Sequence, residues 1–324
     1  MNNFWTDKKV LVTGGLGFVG SNFVEELLKE GAHVTCVYLN GKKTTLTNLN
    51  LPESKLKFKQ IDLQDYNQVV KECKQIDVII NCAALDGNTE FKMNHSAQIM
   101  DVNLRITSNI LNSAKINKVE DVVMISSAEI YSVRANNPIV EDDDYKKYND
   151  YTANGYILSK QYGEILSELY ENEYGINIYR PRPTNIYGPR DHFGDGTNRV
   201  IPSIMKKVIN NETVEIWGDG SQIRQFIYVK DFVYSVLKMV ETKKNRKLNI
   251  ANNDAISILD LAKLITNIVG SKQKISYNKD KPIGAKARIL DVTEFYSSVN
   301  FQPRSLEKGL NETINWYKIY CENL

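Results

Sequence analysis

The sequence predicts an α/β protein, with a doubly wound parallel sheet and a smaller C-terminal α/β domain. Two observations carry this prediction. In the first half of the chain, short apolar segments of strand length alternate with segments of helical periodicity, which is typical of a parallel sheet covered by helices on both faces. After residue 181, prolines and glycines become frequent before helical periodicity returns, which indicates a second domain in the C-terminal third.

The composition bounds the class of protein. The chain has 324 residues, enough for about two domains. Its 41 basic and 39 acidic side chains nearly balance, which argues against a nucleic-acid partner. No apolar run reaches the roughly 18 residues of a membrane span, and the N-terminus lacks an apolar signal core, so we expect a cytoplasmic protein with no membrane partner. The four cysteines and three histidines are too scattered for a disulfide framework or a metal site.

The elements of the first half follow one another as βαβ units. Apolar and β-branched segments predict strands at residues 9–13, 33–39, 56–61, 77–81, 121–126 and 177–180. Amphipathic segments predict helices at residues 17–30, 66–73, 97–116 and 152–173. Parallel strands need such crossover helices, so these segments are expected to form one sheet.

The second half predicts further helices at residues 201–209, 231–240, 258–268 and 306–320, and a strand at 247–250. We expect residues 1–182, joined by about 225–252, to form the larger domain. Residues 183–224 and 253–324 would form the smaller one. The acidic run at residues 141–144 predicts a solvated loop.

A glycine-rich turn follows the first predicted strand. Gly14, Gly17 and Gly20 have the pattern Gly-x-x-Gly-x-x-Gly and open the first helix. Glycines are needed where a strand turns sharply into a helix and the backbone approaches a pyrophosphate. The helix N-terminus, with Phe18 and Val19, supplies backbone N–H groups and the positive end of the helix dipole. The context between strand and helix therefore predicts a Rossmann-type dinucleotide site.

The end of the second predicted strand bears on the choice between NAD and NADP. An acidic residue there would bind the adenosine ribose and select NAD, but Tyr38 stands in its place. Asn40 can still bond the ribose, and Lys42 can meet a 2′-phosphate, so both cofactors stay open with a slight preference for NADP. Asp62 and Leu63 are candidates to flank the adenine, and a helix cap is an equal alternative for Asp62.

Tyr156 and Lys160 are four residues apart on a predicted helix and therefore share one face. A nearby ammonium favours the tyrosinate, so such a phenol can exchange a proton with a sugar hydroxyl near neutral pH. Ser127 follows a strand and points to the same ligand crevice. The spacing alone proves little, because it recurs at residues 38–42, 234–238 and 277–281. The alternative is a half-buried helix tyrosine with a solvated lysine.

The chain resembles the extended short-chain dehydrogenases/reductases that act on nucleotide sugars, over nearly its whole length. The matching segments are Val12-Thr13-Gly14-Gly15-x-Gly17-Phe18-x-Gly20-Ser21, Asp62-Leu63, Asn81-Cys82-Ala83-Ala84, Asn103, Ser126-Ser127-Ala128-Glu129-Ile130-Tyr131, Tyr156-x-x-x-Lys160, Arg182-Pro183-Thr184-Asn185-Ile186-Tyr187-Gly188-Pro189, residues 217–229 and Arg288-Ile289-Leu290-Asp291-Val292.

The resemblance implies roles for individual residues. Ser127, Tyr156 and Lys160 would be catalytic, and Lys160 would also bond the nicotinamide ribose. Further contacts to the cofactor would come from Ala83, Ala84 and Asn103. The substrate-binding candidates are Asn185, Arg199, Trp217, Arg224 and Arg288. Arginine forks suit the diphosphate of a nucleotide sugar, and a surface salt bridge is the alternative role for Arg224 and Arg288.

The resemblance also implies a homodimer, in which the helices at 97–117 and 152–174 form a four-helix bundle with their copies. The reaction would be hydride transfer at sugar C4, by a 4-ketoreductase or epimerase with Tyr156 as acid/base. The segment at 183–193 resembles GDP-fucose synthases, but their epimerising Cys would fall at Ala128 or Glu129, and their His at Arg199. One alternative is a 4,6-dehydratase with Glu129 as C5 base. A non-catalytic dinucleotide-sensing protein is another.

Overall fold

The computed structural model describes residues 3–41, 46, 51–148, 152–194, 199–272, 274–280 and 285–322. They fall into two compact units. Unit 1 comprises Met1–Ile130, Asn149–Arg182 and Val233–Leu248, and unit 2 comprises Tyr131–Tyr148, Pro183–Phe232 and Asn249–Leu324.

The strands and helices are numbered in chain order. The strands are β1 (Lys9–Thr13), β2 (His33–Tyr38), β3 (Leu56–Gln60), β4 (Val78–Asn81), β5 (Asp121–Met124), β6 (Asn177–Pro183), β7 (Asn185–Tyr187), β8 (Val214–Trp217), β9 (Ile223–Tyr228), β10 (Lys247–Ile250), β11 (Ala255–Ser257), β12 (Ile275–Asn278) and β13 (Ala287–Arg288). The helices are α1 (Phe18–Lys29), α2 (Tyr66–Glu72), α3 (Thr89–Asn94), α4 (Ser96–Asn117), α5 (Gly155–Tyr174), α6 (Val200–Ile209), α7 (Val229–Thr242), α8 (Ile258–Val269), α9 (Thr293–Val299) and α10 (Leu306–Glu322). Short 3-10 helices lie at Glu53–Lys55 and Ala128–Ile130.

Unit 1 is built on a seven-stranded sheet in the order β3-β2-β1-β4-β5-β6-β10. Strands β1 to β6 pair in parallel. Apolar side chains such as Ile79, Val122 and Ile178 are fully buried, because helices cover the sheet. The strand order reverses between β1 and β4, and ligands of doubly wound sheets bind outside the carboxyl ends of the strands at such a switch point. The predicted Rossmann-type fold class is confirmed.

Unit 2 has its own sheet and core. Strand β9 pairs with β7 and β13 in parallel and with β11 in antiparallel orientation, while β8 pairs with β12. The helices α6, α8 and α10 bury apolar side chains in a separate cluster that includes Met205, Phe226, Leu261 and Leu310. This unit therefore has a hydrophobic core of its own.

The unit boundaries differ from the expected domains 1–182 with 225–252 and 183–224 with 253–324. Residues 131–148 belong to unit 2, because Ile139 N donates to Ile289 O and Ile139 O accepts from Asp291 N, each at 2.8 Å. The return to unit 1 covers Val233–Leu248, because β9 pairs only with strands of unit 2 among the described residues. The acidic run at residues 141–144 was expected to be solvated, but Asp143 and Asp144 within it are buried.

Among the described residues, no helix is long and apolar enough to cross a membrane. The same residues contain no group of three or more His, Cys, Asp or Glu side chains placed to hold a metal ion.

Candidate active site

The glycine turn lies at the switch point of the sheet, directly after β1. Gly14 has φ +61°, a conformation that favours glycine. A Cβ added at Gly20 would lie 2.2 Å from Gly14 O, so α1 packs against the turn only because residue 20 has no side chain. No side chain caps α1 at Gly17. The turn therefore presents a helix N-terminus to the crevice, which suits an anion such as a pyrophosphate.

The adjoining wall of the crevice is formed by the segment after β4. Thr13 Oγ1 donates to Asn81 Oδ1 at 2.6 Å and accepts from Ala83 N at 3.2 Å, which fixes the ends of β1 and β4 together. Asn103 accepts from Leu85 N at 2.7 Å and donates to Leu85 O at 3.0 Å. The carboxamide of Asn103, expected to contact a cofactor, thus holds this segment in place. Ala84 is exposed beside it.

The segment expected to meet the adenosine is described in part. The Tyr38 ring packs edge-to-face on Phe58, with centroids 6.5 Å apart. Asn40 is exposed, and Lys42 lies outside the described residues.

The two candidates for the adenine have other contacts in unit 1. Asp62 Oδ1 accepts from Gln64 N at 2.9 Å and closes a turn, while Asp65 caps α2. Asp62 therefore does not cap the helix, which was the alternative to a contact with adenine, but stabilises the turn before it. The Leu63 side chain packs in the core of unit 1, so only its backbone can face a ligand.

Tyr156 and Lys160 lie near the N-terminus of α5. The helix begins at Gly155 rather than at residue 152, because Asn154 Oδ1 accepts from the N–H groups of Tyr156 and Ile157. Lys160 Nζ lies 5.7 Å from the centroid of the Tyr156 ring and donates to Ile125 O at 2.7 Å. Lys160 is therefore bound at the carboxyl end of β5, and the alternative of a solvated lysine is wrong.

Burial lowers the pKa of the Lys160 ammonium, and the Asp86 carboxylate opposes that shift. Ser127 lies two residues after the carbonyl that binds Lys160 and is partly buried. Its Oγ accepts from Glu129 N at 3.1 Å, which leaves the hydroxyl proton available as a donor. The end of β5 thus brings Ser127 and Lys160 to one edge of the sheet.

A buried ion pair stabilises the end of β5 that carries Ser127. Arg182 Nε donates to Glu164 Oε1 at 2.8 Å, and both side chains are buried. The same carboxylate accepts from Ser126 Oγ, next to Ser127. Removing one member of a buried pair leaves an uncompensated charge, so Arg182 and Glu164 tie α5 to β6 and to the end of β5.

Lys92 on α3 is a candidate site residue that the sequence did not predict. Its Nζ lies 3.9 Å from the centroid of the Tyr156 ring and 3.3 Å from Glu129 Oε1. It also lies 3.1 Å from Asp86 Oδ1. No motif marks this lysine. Its place shortly after the carboxyl end of β4, where ligands bind in such folds, was the one available signal.

In unit 2, Arg224 and Arg288 are register partners on β9 and β13. Burial and then the charge of Arg288 lower the pKa of Arg224. The positive charges of these two neighbouring guanidinium groups favour the binding of an anion. Asn185 lies on the neighbouring β7 and donates to Gln225 O at 3.1 Å, while Trp217 ends β8 and is partly buried.

Arg199 has different surroundings. It lies 2.8 Å from Asp191 Oδ1 and donates to Ile186 O at 2.7 Å. Asp191 is buried, and its burial raises the pKa of the carboxyl group while Arg199 opposes the shift. Arg199 therefore anchors the segment after β7.

The strand order and the glycine turn at the switch point define a Rossmann-type dinucleotide-binding protein. The chain belongs to the NAD dependent epimerase/dehydratase family, whose family model matches residues 10–251. The family predicted from the sequence is confirmed.

Individual relatives agree with this family. A dTDP-4-dehydro-6-deoxy-D-allose reductase of a Streptomyces species is 40% identical over 98% of this chain and 98% of its own. GDP-L-fucose synthase 1 of Arabidopsis thaliana is 28% identical over 95% and 93%. The solved UDP-N-acetylglucosamine 4-epimerase of Methanobrevibacter ruminantium M1, in complex with UDP-N-acetylmuramic acid, matches 97% of this chain and 99% of its own with a TM-score of 0.88 and 27% identity.

Proposed function

We propose that this protein reduces the C4 ketone of a nucleotide-diphosphate-linked 4-keto-6-deoxy sugar with a nicotinamide dinucleotide. The observation that carries the proposal is the position of Tyr156, whose ring is flanked by the ammonium groups of Lys160 and Lys92 at the ligand edge of the sheet. A reductase of a 4-dehydro-6-deoxy sugar, 40% identical over nearly the whole length, supports the same reaction.

The residues of unit 1 fit a dinucleotide. The turn at Gly14, Gly17 and Gly20 suits a pyrophosphate at the N-terminus of α1: a Cβ at Gly20 would collide with Gly14 O at 2.2 Å, and one at Gly14 or Gly17 would lie only 3.2 or 3.1 Å from neighbouring backbone. Lys160 would bond the nicotinamide ribose. Tyr38 at the end of β2 offers no carboxylate for the adenosine ribose, so we propose NADP as the preferred form, with NAD as the alternative.

When bound, the reduced nicotinamide supplies the hydride that turns the ketone carbon into an alcohol carbon. The Tyr156 hydroxyl donates the proton that the C4 oxygen gains in the same conversion, and Ser127 hydrogen-bonds that oxygen. Lys160 favours the tyrosinate that remains, because its ammonium lies near the phenol. Binding, orientation and one proton transfer are thus the work of these side chains.

Unit 2 would bind the nucleotide diphosphate. Arg224 and Arg288 supply adjacent bidentate donors, and Asn185 and Trp217 lie on strands of the same unit. We propose dTDP as the nucleotide, because relatives at 40% and 39% identity are named as reductases of a dTDP sugar. GDP is the second choice, from the fucose synthases at 28% identity.

Two other reactions use the same hydride step. A C4 epimerase would return the hydride to the opposite face of the sugar, and the fold match to a solved 4-epimerase favours it as second candidate. A 4,6-dehydratase would need Glu129 as a base at C5, but Glu129 Oε1 is ion-paired with Lys92. This pairing supports reduction over dehydration.

The assay that separates these functions offers the protein dTDP- and GDP-linked 4-keto-6-deoxy sugars with NADPH or NADH. We expect stoichiometric loss of nicotinamide absorbance and a product two mass units heavier. Conversion of a 4-hydroxy sugar nucleotide to its C4 epimer without net cofactor consumption would assign an epimerase. Formation of a 4-keto-6-deoxy sugar from the parent sugar nucleotide would assign a dehydratase. Absence of turnover with all these sugars would favour a dinucleotide sensor.

We also propose that the protein is a homodimer through α4 and α5. These helices pack against each other in unit 1, with Ser108 Oγ hydrogen-bonded to Tyr162 at 2.9 Å. Ile165 and Leu169, one turn apart on α5, remain 43% and 55% exposed. Light scattering at micromolar concentration should give twice the 37.0 kDa chain mass, and a monomeric mass would contradict the bundle.

A further inference from the structure

Lys92 contacts groups from three different segments of unit 1. Its ammonium lies over the Tyr156 ring on α5, 3.9 Å from the ring centroid. It is 3.3 Å from Glu129 Oε1 in the 3-10 helix after β5, and 3.1 Å from Asp86 Oδ1 in the segment after β4. Lys92 is thus a common partner of the proposed proton donor and of the carboxylate beside it.

The burial of these groups is unequal. The Lys92 side chain is only 14% exposed, whereas Glu129 is 38% and Asp86 is 47% exposed. A largely buried ammonium loses hydration, which its carboxylate partners and the aromatic face must offset. Because Lys92 is the buried member, these partners hold its ammonium at the Tyr156 ring.

We propose that Lys92 is a positioning residue of the reaction: anchored by Glu129 and Asp86, it holds the Tyr156 ring in place for proton transfer to the C4 oxygen of the sugar. The inference rests on the proposed function. Lys160 also flanks the ring, but it is anchored by Ile125 O, whereas Lys92 is anchored by Glu129 and Asp86. The two lysines therefore fix the phenol from two different strand ends.

A lysine elsewhere in unit 1 offers a matched control. Lys238 on α7 ion-pairs with Glu241 and lies 5.6 Å from the centroid of the Tyr234 ring. It makes the same two kinds of contact as Lys92, outside the candidate site. Lys92→Met and Lys238→Met therefore each remove an ammonium that pairs with a carboxylate and lies near a tyrosine ring, and only the first is expected to impair turnover.

The kinetic test measures reduction of a dTDP-4-keto-6-deoxy sugar by each variant. Lys92→Met should lower kcat roughly 10- to 100-fold, as a misplaced catalytic group does, with KM and the Kd for NADPH within about threefold of wild type. Lys92→Arg should restore most of kcat, because it keeps the charge. Lys92→Gln keeps hydrogen bonds to the carboxylates but no charge over the ring, and should lose kcat even if Lys92→Met fails to fold.

A double-mutant cycle tests whether Lys92 acts through Tyr156. In the Tyr156→Phe background, Lys92→Met should cause no further loss of kcat, because the proton donor is already absent. Multiplicative losses would overturn the proposal. So would Lys92→Met and Lys92→Gln turning over like Lys238→Met.

Different results would contradict the proposed reaction and the proposed role of Lys92. If the wild-type protein transfers no hydride to any 4-keto sugar nucleotide, the proposed function is wrong. If wild type is active, Tyr156→Phe is inactive and the Lys92 variants are unimpaired, only the role of Lys92 is wrong.

Discussion

Two helices of unit 1 carry a tyrosine and a lysine four residues apart. On α5, Lys160 Nζ lies 5.7 Å from the centroid of the Tyr156 ring. On α7, Lys238 Nζ lies 5.6 Å from the centroid of the Tyr234 ring. The spacing therefore gives nearly the same lysine-to-ring distance in both places, and the pair by itself does not distinguish a candidate active site from an ordinary helix surface.

The difference lies in what surrounds each lysine. Lys160 donates to Ile125 O at the carboxyl end of β5, and burial lowers its pKa. Lys238 is paired with Glu241, and that hydrogen bond raises its pKa. A second ammonium, from Lys92, covers the Tyr156 ring. Whether such a tyrosine can act as a proton donor thus depends on where its helix packs against the sheet, and the spacing of the two residues does not predict that.

The largest expected effect is the loss of activity when the Tyr156 hydroxyl is removed and the Tyr234 hydroxyl serves as the comparison. Tyr156→Phe should lower kcat/KM for ketone reduction by roughly 10²- to 10⁴-fold, because the proton donor is lost. Tyr234→Phe should change it less than about twofold, because the lysine beside that ring, Lys238, pairs with Glu241 on the same helix rather than with the end of a strand. Steady-state oxidation of NADPH measures both. Equal behaviour of the two variants would mean that the Tyr156 assignment is wrong.

A smaller effect extends the comparison to the cations of unit 2. Arg224→Met should raise KM for the nucleotide sugar roughly 10- to 100-fold, because a charged hydrogen bond is worth about 1.5–3 kcal/mol. Lys263→Met on α8 removes a solvent-exposed ion pair with Asp260 and should leave KM unchanged. Substrate titrations check this, and an unchanged KM for Arg224→Met would favour its alternative role as a surface salt-bridge partner.

The smallest expected effect is on how the free energy of unfolding changes with pH in variants of Lys160 and Lys238. The folded-state pKa of Lys160 is lowered, so the unfolded chain binds its proton more tightly, and wild type should gain stability relative to Lys160→Met as pH rises toward 10.5, the ordinary pKa of lysine. The folded-state pKa of Lys238 is raised, so wild type relative to Lys238→Met should stay level over that range and lose stability above it.

Urea unfolding of both variants and of wild type at a series of pH values gives these differences. A Lys160→Met difference that does not change with pH would contradict the burial of a charged Lys160.

Much of unit 1 could be predicted from the sequence, because its signals are local. The apolar segments at residues 9–13 and 33–39 became β1 and β2 within one residue, and the glycine pattern opened α1 as expected. Periodicity and glycine conformation depend on neighbours a few residues away, so a single sequence displays them. Helix α5 started three residues late only because the cap is Asn154.

The remaining features depend on contacts between distant residues. Lys92 reaches Glu129 across 37 positions, and Asn103 reaches Leu85 across 18, so neither partner is visible in a local pattern. Residues 131–148 join unit 2 through the pairing of Ile139 with Leu290, which no composition shift announces. The acidic run was expected to be solvated, yet Asp143 is buried, and its pairing with Lys147 four residues later offsets the loss of hydration.

The central claim, reduction at sugar C4 with Tyr156 as proton donor, is tested most directly by following the hydrogen atoms. The protein is supplied with a dTDP-4-keto-6-deoxy sugar and NADPH deuterated at the reactive nicotinamide carbon, and the product is analysed by NMR. We predict one deuterium, bound to C4 of the sugar, in the wild-type product and a strongly slowed transfer in Tyr156→Phe. Deuterium at another carbon, or undiminished transfer in Tyr156→Phe, would contradict the account.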